Sequence, residues 1–160
     1  MAIAYFYTWT TYGTWLPGDE RGWLKHFQGN RSSNKLIEFE AQLLMSESAI
    51  TLNPSQRELV EKTIREHCAI RNWILHAVNC RTNHAHVVVT ANERKLPEPR
   101  IQFKAWCTRR LKENERDANA KDPLRECWWT ERGWDEYIDT DNELADVVAY
   151  VLEGQTIPRS

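Results

Sequence analysis

The sequence predicts an α+β fold of the ferredoxin-like sandwich type, an antiparallel sheet with helices on one face and an extra C-terminal helix. Three observations carry that reading. The strand-like runs WILHAVN (73–79) and HAHVVVTA (84–91) are joined only by the polar link Cys80-Arg81-Thr82-Asn83, which makes them an antiparallel hairpin. Helical patterns flank the hairpin on both sides. A strand-like run opens the chain and another precedes the last helix, so the order reads β, insert, α, β, β, α, β, α.

Residues 3–11 are aromatic and β-branched, suited to a strand, and Tyr12-Gly13 with Leu16-Pro17-Gly18-Asp19 ends it. A long insert, about 18–53, follows; its stretch 20–34 reads as an ordered loop and 36–48 as a short helix. Asn53-Pro54-Ser55 is a helix start, after which Leu59, Val60, Ile64, His67 and Cys68 recur at helical spacing. Past the hairpin, a helix over about 98–114 carries the basic residues Arg100, Lys104, Arg109, Arg110 and Lys112. Residues 127–138 read as a short strand pair or an irregular aromatic segment. Thr140 with Glu143 forms a capping box for the last helix.

The 160 residues, 41% hydrophobic and 28% charged, suit one soluble domain spanning 1–160. A net charge of −2 weighs against a general duplex-coating protein, which is normally strongly basic. The charge is uneven, however, with acidic excess after residue 130, so a local basic groove is compatible with the total. Eight tryptophans suit core packing first and base stacking second. Four cysteines without a CxxC pair argue against a zinc knuckle or dense disulfide framework, and fit reduced, mostly buried thiols in a cytoplasmic protein. The N-terminus does not read as a signal peptide, and no apolar run approaches membrane-spanning length.

Two sites carry chemistry. His84 and His86 are two apart on a strand, so both imidazoles project from one face, where neutral rings can bind a divalent metal. Such a pair alone is a weak signal. On the last helix, Leu144, Val147, Val148, Val151 and Leu152 form an apolar stripe at about 100° per residue. Tyr150 falls on its flank with Asp146 and Glu153. It reads either as an aromatic packed on a loop or as a phenolic nucleophile beside a metal. Glu153 or Gln155 could supply a third, oxygen ligand, and the set would suit Mg²⁺ or Mn²⁺.

The ordered set of segments Tyr7-Thr8-Trp9-Thr10-Thr11-Tyr12-Gly13-Thr14-Trp15-Leu16-Pro17-Gly18-Asp19, Asn83-His84-Ala85-His86, Trp128-Trp129 through Ile138, and Ala149-Tyr150-Val151-Leu152-Glu153-Gly154-Gln155 resembles the single-tyrosine HUH transposases of bacterial insertion sequences. It is most similar to their REP-associated tyrosine transposase branch. The resemblance implies His84 and His86 as metal ligands and Tyr150 as nucleophile toward single-stranded DNA, giving a 5′-phosphotyrosine link and a free 3′-hydroxyl. It also implies recognition of DNA hairpins, by a homodimer or a monomer. If the chain is such a transposase, Arg100, Lys104, Arg109 and Arg110 would line part of the DNA path, against the plainer reading of a solvated helix face. Two departures stand out. The amide ligand is commonly four residues after the tyrosine, where this chain has Gly154, so Gln155 and Glu153 both stay open. The insert is also longer than in minimal members. Tyr137 is a second tyrosine candidate, in a setting that reads as structural. Two other classes compete: a non-catalytic nucleic-acid-binding descendant, and a metal hydrolase that uses water.

Overall fold

The computed structural model describes residues 2–14, 49–118, 125–131 and 133–153. The helix expected over 36–48, most of the 18–53 insert, and Gln155 lie outside them. In chain order the elements are β1 (Ala4–Thr10), α1 (Pro54–Arg71), β2 (Ile74–Cys80), β3 (His84–Thr90), α2 (Glu98–Asp117), β4 (Trp134–Ile138) and α3 (Asp141–Glu153). The strands form one four-stranded sheet in the order β2-β3-β1-β4, every pair antiparallel. This is the expected sandwich plan with its added C-terminal helix.

Helices α1 and α3 start where a side chain satisfies otherwise orphaned amides, whereas α2 opens at Pro97 with no side-chain cap. At α1, Asn53 Oδ1 accepts from Gln56 N at 2.8 Å, and Gln56 Oε1 accepts from Asn53 N at 2.9 Å. The helix stops at Asn72, whose left-handed backbone (φ 60°) suits asparagine. At α3, Thr140 Oγ1 accepts from Glu143 N at 3.1 Å, while the Glu143 carboxylate reaches past the cap to Asp139 N at 3.0 Å.

Alternation along the strands splits the sheet into two faces. Tyr7, Trp9, Ala85, Val87 and Val89 point toward α1 and α2, where they meet Val60, Ile64, Phe103, Cys107 and Leu111 in the main core. Trp9 stacks on Phe103 with ring centroids 6.1 Å apart. The other face, with Ala4, Phe6, Ala77, Val88 and Ile138, is covered by Val147, Tyr150 and Val151 of α3. A bulge in β2 between Leu75 and Ala77 resets the alternation, so that Ala77 lies opposite Val88 and Asn79 opposite His86.

Beyond β1 the pairing continues. Thr11 bridges Trp129, and Thr130 N donates to Thr10 O at 3.0 Å. The chain re-enters the sheet at Gly133, where a Cβ would stand 2.6 Å from both Thr8 O and Arg100 Cδ; only glycine fits there without displacement. Cys68, Cys80 and Cys107 are buried free thiols, as the sequence suggests, and burial pushes Cys68 up to about 12. Among the described residues no helix is long and apolar enough to cross a membrane.

Candidate functional site

On the α3 face the sheet changes character along its length. One end is apolar, with Ala4, Phe6, Val88 and Ile138, and the other carries Thr8, Thr10, His84 and His86. Register explains the grouping: Thr8 lies opposite His86 and Thr10 opposite His84. The two imidazoles stand side by side, ring centroids 4.8 Å apart and planes at 70°. His86 is fully buried and His84 is 6% exposed.

Each ring is held at Nδ1. Asn83 Oδ1 lies 2.7 Å from His84 Nδ1, and Thr8 Oγ1 lies 2.7 Å from His86 Nδ1. Such bonds orient an imidazole and leave its Nε2 edge to act. Phe6 supports His86 from the apolar end, with ring centroids 5.5 Å apart.

Tyr150 completes the group. Its ring centroid is 5.8 Å from that of His86, the planes meeting at 64°. The sequence sets Tyr150 on a flank of α3 with Asp146 and Glu153; the structure puts it on the buried face, 5% exposed, beside Val147 and Val151. Leu152, expected in the apolar stripe, is 58% exposed instead. The helix is turned relative to the expected stripe because it docks near the polar end of the face. There a phenol, apolar in body and polar at its tip, fits better than leucine. Asn79, opposite His86 on the other side from Thr8, fixes this docking. Its Nδ2 donates to Val151 O at 2.8 Å, filling one of the carbonyls that a helix C-terminus leaves open.

For a metal, the donor set on the page is two imidazoles side by side on one face of the sheet, which fits a divalent cation. Glu153 is exposed, and among the described residues no three His, Cys, Asp or Glu side chains gather for a metal, so Glu153 does not join the histidines in such a group. Glu136 shares the sheet face, opposite Phe6, and burial followed by the charge of Asp135 pushes its carboxyl upward.

The basic cluster is elsewhere. Helix α2 covers the opposite face, so Arg100, Lys104, Arg109 and Arg110 are not brought together with the histidines. Arg100 makes a bidentate pair with Asp135, at 2.6 and 3.0 Å, with both side chains nearly buried. Lys104 Nζ donates to Thr130 O and Glu131 O at 2.6 and 3.1 Å; burial, with help from Arg100, lowers it to about 8. Arg109 pairs with Glu113 at 3.4 Å and lies over the Trp106 ring, and Arg110 pairs with Glu66 at 3.1 Å. Closeness in sequence gave the cluster its appearance; the helix spends two of its members on holding the 130–135 segment. Tyr137 is 57% exposed and packs on Tyr5, on the α1–α2 side, away from the histidines.

Sequence reasoning missed Thr8 and Asn79. Both have the right strand parity, but their pairing opposite His86 depends on register and on the β2 bulge, neither of which is written locally.

No family model and no curated protein sequence matches the chain. Among solved structures it is similar to a REP-associated tyrosine transposase bound to a REP hairpin, with TM-score 0.50 and 12% identity over 94% of this chain and 66% of that one. It is also similar to a candidate transposase from Deinococcus radiodurans R1, with TM-score 0.47 and 11% identity over 96% of this chain and 91% of that one. At 12% identity the first likeness shows a shared fold, the one expected from the motifs, and this chain spans 66% of that neighbour.

Proposed function

We propose that this chain is a single-strand DNA transposase that cleaves and rejoins DNA through Tyr150. The observation that carries the reading is the convergence of His84, His86 and Tyr150 on one sheet face, with Tyr150 5.8 Å from His86 ring to ring. The fold neighbour bound to a REP hairpin supports a hairpin-bearing strand as the substrate class.

In the proposed reaction the Tyr150 oxygen attacks the scissile phosphorus and the bond to the 3′-oxygen breaks. A phosphotyrosine forms on the 5′ side and a 3′-hydroxyl leaves. The reverse attack by a 3′-hydroxyl rejoins strands, and the ester keeps the bond energy, so no ATP is consumed. A phenol has a pKa of about 10 in water, so Tyr150 must give up its proton as it attacks. His84 and His86 would hold Mg²⁺ or Mn²⁺, and Gln155 is the proposed third donor, since Glu153 is not gathered with the histidines. When bound, the cation supplies neutralisation of the non-bridging phosphate oxygens. Val147 and Val151 seat the helix, and Asn79 fixes its last turn, so that Tyr150 meets the phosphate from one direction. Of the α2 residues expected along the DNA path, Arg109 and Arg110 are more exposed than Arg100 and could meet a DNA phosphate.

The test mixes wild-type or Tyr150→Phe protein with labelled single-stranded hairpin DNA from the flanks of its own gene and Mg²⁺ or Mn²⁺. A denaturation-resistant protein–DNA band from wild type, lost in the variant, is expected. No band from either protein on DNA that binds would overturn catalysis and favour a non-catalytic DNA-binding protein. Cleavage without a band, retained in Tyr150→Phe, would instead indicate attack by water.

A further inference from the structure

The two bonds at Nδ1 are unlike in kind. The amide oxygen of Asn83 can only accept, so at 2.7 Å from His84 Nδ1 it requires the proton to sit on that nitrogen. A neutral imidazole has one N–H, and His84 Nε2 is therefore left with its lone pair. Thr8 is a hydroxyl, able to accept as well as donate, 2.7 Å from His86 Nδ1 in a fully buried setting. Both partners are rigidly placed. Thr8 is set opposite His86 by strand register, and the Asn83 carbonyl accepts from Thr11 N at 2.9 Å and Thr11 Oγ1 at 3.3 Å. Strand β1 thus places Thr8, and Thr11 just after it anchors the Asn83 backbone, beside the histidine pair.

We propose that Asn83 and Thr8 are positioning residues that hold both imidazoles as the Nδ1–H tautomer and so present the two Nε2 lone pairs side by side to a divalent cation. The inference rests on the proposed metal role of the pair, but the tautomer is a property of the metal-free protein and is read without it. A ring in the other tautomer would carry its proton on the nitrogen that must coordinate. Partners of this kind typically change metal affinity by about 10- to 100-fold when removed.

The experiment is long-range proton–nitrogen correlation NMR of the full chain, labelled at the histidine ring nitrogens, metal-free and at a pH where the rings are neutral. Wild type should show Nδ1–H for both His84 and His86. Asn83→Leu should shift His84 toward Nε2–H while Asn83→Asp, which keeps an acceptor, should not. Thr8→Val should release His86 while Thr8→Ser should hold it. Titration with Mn²⁺ should then show affinity about 10- to 100-fold weaker in Asn83→Leu and Thr8→Val and mostly regained in the conservative pair. Nε2–H at either ring in wild type overturns the assignment for that ring, and this spectrum decides even if a variant does not fold. Unchanged tautomers in Asn83→Leu and Thr8→Val overturn the positioning role. Correct tautomers in a wild-type protein that binds no Mn²⁺ would support Asn83 and Thr8 as tautomer-setting residues and sink the metal site itself.

Discussion

On the α1–α2 side of the sheet, β1 and β3 contribute Tyr7, Trp9, Ala85, Val87 and Val89, all buried and packed against apolar helix residues. On the α3 side the same strands contribute Phe6, Thr8, Thr10, His84, His86 and Val88, a surface that turns from apolar to polar along its length. Neighbouring residues such as Thr8 and Trp9 therefore serve different ends. The first face is filled uniformly and secures the fold. The second is buried just as deeply, yet it spends burial on hydrogen-bonded side chains, which contribute less to stability than packed carbons do. Buried polar groups gathered in one place, each with a partner, are what the proposed chemistry rests on.

The sharpest way to break this contrast is to cut into the packed face. Trp9→Ala should cost about 3–5 kcal/mol in chemical denaturation, because a fully buried indole leaves a cavity against Phe103. A loss below about 1 kcal/mol would mean the two faces are not energetically distinct. Next is the ion pair at the edge of that face. Arg100→Met should cost about 3 kcal/mol in the same assay, since it leaves Asp135 nearly buried without its cation. Smaller and more local is Asn79→Ala, at about 1 kcal/mol, which removes the bond to Val151 O. Amide exchange should quicken in α3 and stay unchanged in α1 and α2; uniform quickening would deny α3 its separate anchor.

The most gradual effect is a pH slope. Lys104 is lowered to about 8 from 10.5, so between those values the unfolded chain binds the proton that the folded chain has lost. Stability from this group should rise with pH across that window, and the burial penalty on its charged form applies in full below it. Lys104→Met should flatten the slope between pH 8 and 10.5 in thermal melts.

Much of this was legible in the sequence. The Asn53 and Thr140 caps are local chemistry, and both appear where their residue types stand. Strand alternation put His84 and His86 on one face, and the connecting lengths gave the sandwich. What escaped depends on docking rather than on local pattern. The rotation of α3 was misjudged because tyrosine and leucine both suit an apolar stripe, and only the polar end of the sheet decides between Tyr150 and Leu152. The β2 bulge that brings Asn79 beside His86 has no sequence mark. The basic run on α2 looked like a nucleic-acid surface, yet Arg100 and Lys104 are turned inward onto Asp135 and the Thr130–Glu131 carbonyls.

The most direct test of the account is to map the covalent bond. Wild-type protein would be reacted with hairpin-bearing single-stranded DNA in Mn²⁺, digested with nuclease and protease, and the peptide that keeps a nucleotide identified by mass spectrometry. The account predicts a phosphodiester on Tyr150. A nucleotide on Tyr137, across the sheet from the histidines, or on any other residue would contradict it.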